Sequence, residues 1–300
     1  MLFTVFCMGP ILLMGQDSPF EHEGIHKLDL PQHWATKYNE LTGRGLAQKA
    51  PEDCDICDTG RVVGFFDSGE TRQYPSIQKA LLAARTESVY RVVVCEGTYD
   101  ETPVLADFSD LILEACGAVQ VNGFILKDVV DMTIDGFYVN ADQRWFGIGL
   151  GFGSSFENDR ITIRNCVIEG SMGSGIALRP WNHQVTVEDC ILVNNRQGID
   201  TIMFGGPYLF RDNLIANNWI GAQVSAEAEI TFEANHMARN QYFAIARLKQ
   251  WDNADYPWMI TLIRNTFEGN GGYVVPGTHD ANLGNHHLII DSTDDQPGYR

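Results

Sequence analysis

The chain has 300 residues, 44% of them hydrophobic, with 39 acidic against 21 basic side chains and a formal net charge of −18. That is ample apolar material for a core, and 29 glycines suit a chain that turns every few residues. The acidic field repels a phosphate backbone, which excludes nucleic acid as a partner of the whole surface, and it disfavours a polyanionic polysaccharide unless Ca²⁺ bridges the two.

Residues 1–15 carry the apolar run Met1 to Met14, too short to span a bilayer and placed where a secretory signal sits, although no Lys or Arg precedes it. The run predicts export to a periplasm, a cell surface or the medium. No other stretch could be a transmembrane span. Residues 16–61 read as a polar N-terminal extension lying over the remainder, with a helix around His33 to Thr42. Cys54-Asp-Ile-Cys57 is a lone CxxC, without the second Cys or His pair that zinc needs, and Asp53, Asp55 and Asp58 would raise its thiol pKa values. A small local disulfide between Cys54 and Cys57 is the preferred expectation, and a pair of inert thiols the alternative.

From Tyr74 to Arg85, Ile77, Ala80, Leu81 and Ala84 share one helical face behind Pro75, a residue suited to a first turn. A capping helix is expected near 75–86, because a stack of strands exposes unpaired edges at its open end. Beyond it a phrase recurs: Ile161-Thr-Ile-Arg-Asn-Cys-Val-Ile168, then copies beginning at Val185, Tyr208 and Ile230, whose starts lie 24, 23 and 22 residues apart. Apolar alternation within each copy means strands, and a drifting repeat of this length means a solenoid of coils. A second strand follows in each coil: Gly175 to Arg179, Gly198 to Ile202, Gly221 to Ser225 and Phe243 to Arg247. Imperfect copies around Leu111, Met132 and Leu262 extend the series to about eight coils, a rod on the order of 40 Å at ~4.8 Å per strand. Cys116, Phe137, Cys166, Cys190, Asn213, Asn235 and Thr266 are expected to stack in one turn column, where an Asn amide bonds its counterpart one coil away. The solenoid is placed at 62–278, with a solvated acidic tail at 279–300.

Ser76-Ile-Gln-Lys-Ala-Leu followed by Val92-Val-Val-Cys-Glu-Gly-Thr-Tyr-Asp-Glu101 resembles the opening of pectin-lyase-like proteins, pectinesterases among them. The resemblance implies an all-β, single-stranded, right-handed parallel β-helix, and it implies activity on the outward face of one sheet. Gly198-Ile-Asp-Thr-Ile-Met-Phe-Gly205 is similar to the pectinesterase nucleophile motif, which would make Asp200 the catalytic carboxylate. Leu178-Arg-Pro-Trp181 is similar to that family's arginine motif, but it precedes the aspartate by one coil where the family's follows. The Gln-Ala and Gln-Asp motifs of the family are absent.

On the second strand the outward ladders are read as Gly149, Ala177, Asp200, Gln223 and Ile245, and one step along as Gly151, Arg179, Ile202, Ser225 and Arg247. Asp200, Arg179 and Arg247 are the candidate catalytic groups. Trp145, Trp181, Trp251 and Trp258 mark the following turns, where flat rings can carry a sugar. Trp181, His183, Gln223, Trp251 and Asp252 are the candidate substrate contacts. A pectate-type lyase would add Ca²⁺, with Asp135, Asp142, Glu157 and Asp159 as its acidic residues and Arg144 or Arg160 as base. No metal ligand set can be assigned, and a hydrolase pair is missing because Asp200 has no outward acidic neighbour. The reading is an exported protein that engages carbohydrate along its lateral face, binding favoured over catalysis. Its alternatives are a polysaccharide lyase or carbohydrate esterase using Asp200, and a non-catalytic surface or assembly protein.

Overall fold

The computed structural model describes residues 32–42, 54–57, 61–152, 157–247, 259–271 and 287–290. The expectations for residues 1–15, for Trp251, Trp258 and Asp252, and for most of the tail lie outside them.

The recurring phrase folds as a strand that pairs in parallel with the same phrase one coil away. The first sheet stacks Asn158–Arg164, Asn182–Glu188, Tyr208–Arg211, Glu229–Glu233 and Met259–Ile263, with Ile161, Val185, Tyr208, Ile230 and Ile260 in register. A short sheet follows after one corner, from Tyr138–Asn140 through Val167–Glu169, Ile191–Val193, Leu214–Ala216 and His236–Ala238 to Thr266–Glu268. After the next corner comes a front sheet of Phe146–Leu150, Ser174–Leu178, Gln197–Phe204, Ile220–Glu227 and Phe243–Arg247. The protein is therefore a right-handed parallel β-helix. Its full coils number about six rather than eight, because the opening strand Val89–Thr98 has the antiparallel Val62–Phe66 as a neighbour and belongs to a cap.

Two corners per coil are cut by residues in the left-handed region. Asn165, Asp189, Asp212, Ala234 and Arg264 turn one corner, and Gly170, Asn194, Asn217, Arg239 and Gly269 the other. Immediately after each stands a ladder residue, buried everywhere except at the half-buried Asn270. At the first corner Asn213 Oδ1 accepts from Cys190 N at 2.9 Å, Asn235 Oδ1 from Asn213 N at 3.1 Å and Asn265 Oδ1 from Asn235 N at 3.0 Å. Amides thus satisfy backbone groups that no strand partner reaches. The column holds Phe137, Cys166, Cys190, Asn213 and Asn235 as expected, but it ends at Asn265, since Thr266 pairs with His236 on the short sheet. Cys116 also leaves the column. Val119 stands above Phe137, because its neighbour Gln120 is in register with Tyr138. A second ladder, Asn195, Asn218, Asn240 and Asn270, repeats the device at the other corner.

The expected helix α2 spans Ile77–Glu87 and buries Ile77, Ala80, Leu81 and Ala84 in the main core. Ser76 Oγ caps Lys79 N, and the Glu101 carboxylate accepts from Ile77 N and Gln78 N at 3.2 and 3.0 Å, where a helix start favours negative charge. Helix α1, Gln32–Thr42, lies across the short sheet: Trp34 and Tyr38 bury against Tyr138, Val167, Ile191 and Leu214. Tyr38 and Tyr138 both donate to the buried Glu169, which compensates for the removal of that carboxylate from water.

The local Cys54–Cys57 disulfide does not form. Cys54 pairs with Cys116 and Cys57 with Cys95, at Cα separations of 5.7 and 5.3 Å. The residues Cys54–Ile56 form one tight turn that lies beside two tiers whose cysteines, Cys95 and Cys116, are themselves in register. Each cysteine of the turn therefore meets a cysteine of the rod.

Candidate functional site on the front sheet

Strand alternation sends Ile148, Ile176, Ile199, Ala222 and Ile245 into the core and turns Gly149, Ala177, Asp200, Gln223 and Ala246 outward. The last tier corrects the expected ladders. Ile245 pairs with Ala222 inside the core, and Arg247 is in register with the core residue Val224 rather than with Ser225. The strand Phe243–Arg247 enters one residue out of phase with the sequence alignment, so the outward position falls on Ala246.

The outward polar groups form one connected network. Gln223 Nε2 donates to Asp200 Oδ1 at 3.0 Å, and Gln197 Nε2 donates to Gln223 Oε1 at 2.8 Å. Ser174 Oγ lies 2.9 Å from Gln197 Oε1 and 3.5 Å from Asp200 Oδ2, so its single proton goes to the nearer glutamine. Arg179 Nη1 stands 3.6 Å from Asp200 Oδ2, with its guanidinium 4.8 Å from the Phe152 ring centroid. Asp200 is only 3% exposed. Burial raises its pKa, and Arg179, Gln223 and Ser174 oppose that rise; burial lowers the pKa of Arg179, with Asp200 opposing. A carboxylate so enclosed holds Arg179 and the likewise buried Gln223 in place.

Glycine shapes the upper part of the face. A Cβ on Gly149 would lie 2.6 Å from the Phe152 ring and 2.8 Å from Phe146, whose rings stack at 4.1 Å over that glycine. Trp145 and Trp181 stand at opposite edges of the front sheet, 65% and 47% exposed. The placement of Trp145 corrects the expectation, because it precedes its strand and Trp181 follows one. Trp181 has φ +68° and leans on Phe204 at 5.6 Å. A bulky residue in the left-handed region costs about 1–3 kcal/mol, and such strain concentrates at binding sites.

His183 falls elsewhere. It pairs with Asp159 on the first sheet and lines a hollow of about 560 Å³ with Glu157, Gln184 and Pro207. The acidic residues of the lyase reading do not converge either: Asp135 bonds Arg164, and Asp159 bonds Arg160, which also bridges to Asp131. Among the described residues no three His, Cys, Asp or Glu side chains are arranged to hold a metal ion, and no helix is long and apolar enough to cross a membrane.

Beside Trp145, the edge of the front sheet holds residues that sequence reasoning missed. Ser174 N donates to Trp145 O, Gln197 N to Gly173 O and Ile220 N to Arg196 O, while Ile220 pairs with Phe243. Trp145, Gly173, Arg196, Trp219 and Tyr242 therefore share one file. The Arg196 guanidinium lies 5.0 Å from the Trp219 ring, and Trp219 meets Tyr242 edge-on at 5.0 Å. The available signal was position, since each of these residues stands one or two places before the glycine that opens its strand, or directly before the strand itself.

Against known families, residues 116–291 match the family described as "Periplasmic copper-binding protein (NosD)", a match covering well over half of the chain. The chain belongs to the NosD family. A search of the curated proteins gave no match. The family is periplasmic, and two disulfides suit that oxidising compartment, so the protein is extracytoplasmic. The described residues do not fit copper. Their two unpaired thiols, Cys166 and Cys190, are sealed in the turn column, and burial pushes the Cys190 thiol up, away from the thiolate a soft metal requires.

Proposed function

We propose, taking NosD-family membership as the premise, that this periplasmic β-helix protein binds carbohydrate polymer on its front sheet without converting it. The observation that carries the reading is the pair of exposed indoles, Trp145 and Trp181, standing at two edges of a face whose centre offers Arg179 and Gln197. Flat apolar rings suit the faces of sugar rings, and a fixed amide and a guanidinium suit their hydroxyls. Asp200 acts in this reading as a positioning residue.

The test is titration calorimetry of the full chain against a panel of soluble polysaccharides, with chromatography of the same samples for released product. Saturable binding without product is expected, weakened about three- to tenfold in Trp145→Ala and in Trp181→Ala, the scale of one aromatic contact. Wild-type protein that binds no polysaccharide refutes the proposal.

A second reading, a carbohydrate esterase or polysaccharide lyase using Asp200 with Arg179, is favoured by the raised Asp200 pKa, a property shared by many catalytic carboxylates. Product formation that disappears in Asp200→Asn at an unchanged melting temperature would establish it.

A further inference from the structure

Resting on the carbohydrate reading, we infer that the ligand is an acidic polysaccharide, laid parallel to the rod axis over Trp145, Gly173, Arg196, Trp219 and Tyr242, with Arg144 and Arg196 taking its anionic groups. The file crosses five tiers, about 19 Å at ~4.8 Å per tier, so it presents a line of contacts to an extended chain. Gly173 keeps the line continuous. A Cβ there would sit 2.2 Å from Trp145 O and 3.3 Å from Trp145 Cε3, so the edge of the indole packs against the glycine.

Charge supplies the specificity. Eight described arginines, Arg72, Arg85, Arg91, Arg160, Arg164, Arg179, Arg211 and Arg264, are held in ion pairs with carboxylates. Among the described residues, Arg144 and Arg196 have no carboxylate at ion-pair distance. The acidic groups of the neighbouring strands are otherwise engaged, Asp200 by Gln223 and Arg179, and Glu169 by Tyr38 and Tyr138. Asp142, exposed beside Arg144 in sequence, makes no ion pair with it. Arg196 is held against Trp219, so its planar fork is ordered before a ligand arrives and its N–H donors remain available to a carboxylate or sulfate.

The net charge of −18 opposes an anion at long range. At physiological ionic strength that repulsion fades beyond about 8 Å, and the charges in contact decide the outcome. Local arginines thus reverse the preference that bulk composition suggests, with no bridging cation required.

The inference is tested by calorimetry of the full chain with one polymer backbone in three forms: carboxylated, carboxyl-reduced and sulfated. Wild type is expected to bind the carboxylated form at least about tenfold more tightly than the reduced form, the scale of one charge-assisted hydrogen bond. Arg196→Gln should remove most of that preference, and Arg144→Gln should remove part. Arg196→Lys, which keeps the charge but not the stacked fork, should fall between. Comparable binding of the sulfated form supports a reader of anionic charge. Equal affinity for charged and reduced polymers overturns the acidic ligand and leaves carbohydrate binding standing. A wild-type chain that binds none of the three overturns both. Unchanged circular dichroism keeps each variant interpretable, and a preference that survives in a folded Arg144→Gln/Arg196→Gln chain also overturns the inference.

Discussion

Replacing Asn213 by alanine tests the device that holds the coils together. Asn213 is completely buried; its Oδ1 accepts from Cys190 N, and its Nδ2 donates to Val187 O and Asn235 Oδ1, each at 2.9 Å. Alanine removes all three bonds. A typical bond of this kind is worth about 1 kcal/mol net, and each backbone group left buried without a partner costs about 1–3 kcal/mol. Cys190 and Val187 are both completely buried, so the loss should be about 3–5 kcal/mol. The assay is urea unfolding followed by circular dichroism, with the midpoint and slope compared with wild type. Thr186→Ala, on the outward side of the first sheet, is the control and should change stability by less than about 0.5 kcal/mol. If Asn213→Ala unfolds at the wild-type midpoint with an unchanged slope, the ladder is not what satisfies these groups and the argument fails.

Other outcomes follow from the same structure. Non-reducing peptide mapping should recover Cys54 linked to Cys116 and Cys57 to Cys95; a Cys54–Cys57 peptide would contradict the fold's opening. The two links span 62 and 38 residues, and chain entropy assigns each about 4 kcal/mol when present alone, so reductant should lower the thermal midpoint markedly. His236 is half-buried beside Glu268, and burial lowers its pKa below the ordinary 6.5 while Glu268 opposes. Because the unfolded chain then takes the proton more readily, the stability linked to this group is complete above 6.5 and declines as pH falls below it. His236→Gln should flatten that part of a stability–pH curve, and an unchanged slope would remove the histidine from the account. Gly173→Ala should displace Trp145 and weaken polysaccharide binding at least as much as Trp145→Ala does, because the new Cβ would overlap Trp145 O.

The coil was legible because its causes are local. Ile161, Val185, Tyr208 and Ile230 begin phrases whose alternation dictates which side of a strand is buried, and each was found in register with the next. Asn213 and Asn235 were legible for the same reason, as a residue type recurring at one phase of a repeat. The second ladder, Asn195, Asn218 and Asn240, recurs at one phase in the same way, although sequence reasoning did not single it out. Errors came where the repeat loses phase. One residue of drift before Phe243 exchanged Ile245 for Ala246, and an uneven phrase near Leu262 exchanged Asn265 for Thr266.

The candidate site was harder to read. Asp200, Gln223 and Arg179 fall on one outward patch in the sequence reading, yet the burial of Asp200 and Gln223 and the stacking of Arg179 on Phe152 are encoded in no spacing. Trp145 and Trp181 lie 36 residues apart in sequence and at different phases of the coil, so only the stacked tiers show that they frame one face.

By itself, then, the order of residues determined that this chain winds into parallel coils, since period-2 alternation and amide-bearing corners are satisfied by short-range partners one repeat away. Tertiary structure alone decided which cysteines join, where α1 lies, and which arginines keep their charge free. Those outcomes depend on segments far apart in the chain meeting at one surface, and the free energy of such a meeting is set by fit, burial and competing charges that a linear pattern does not contain.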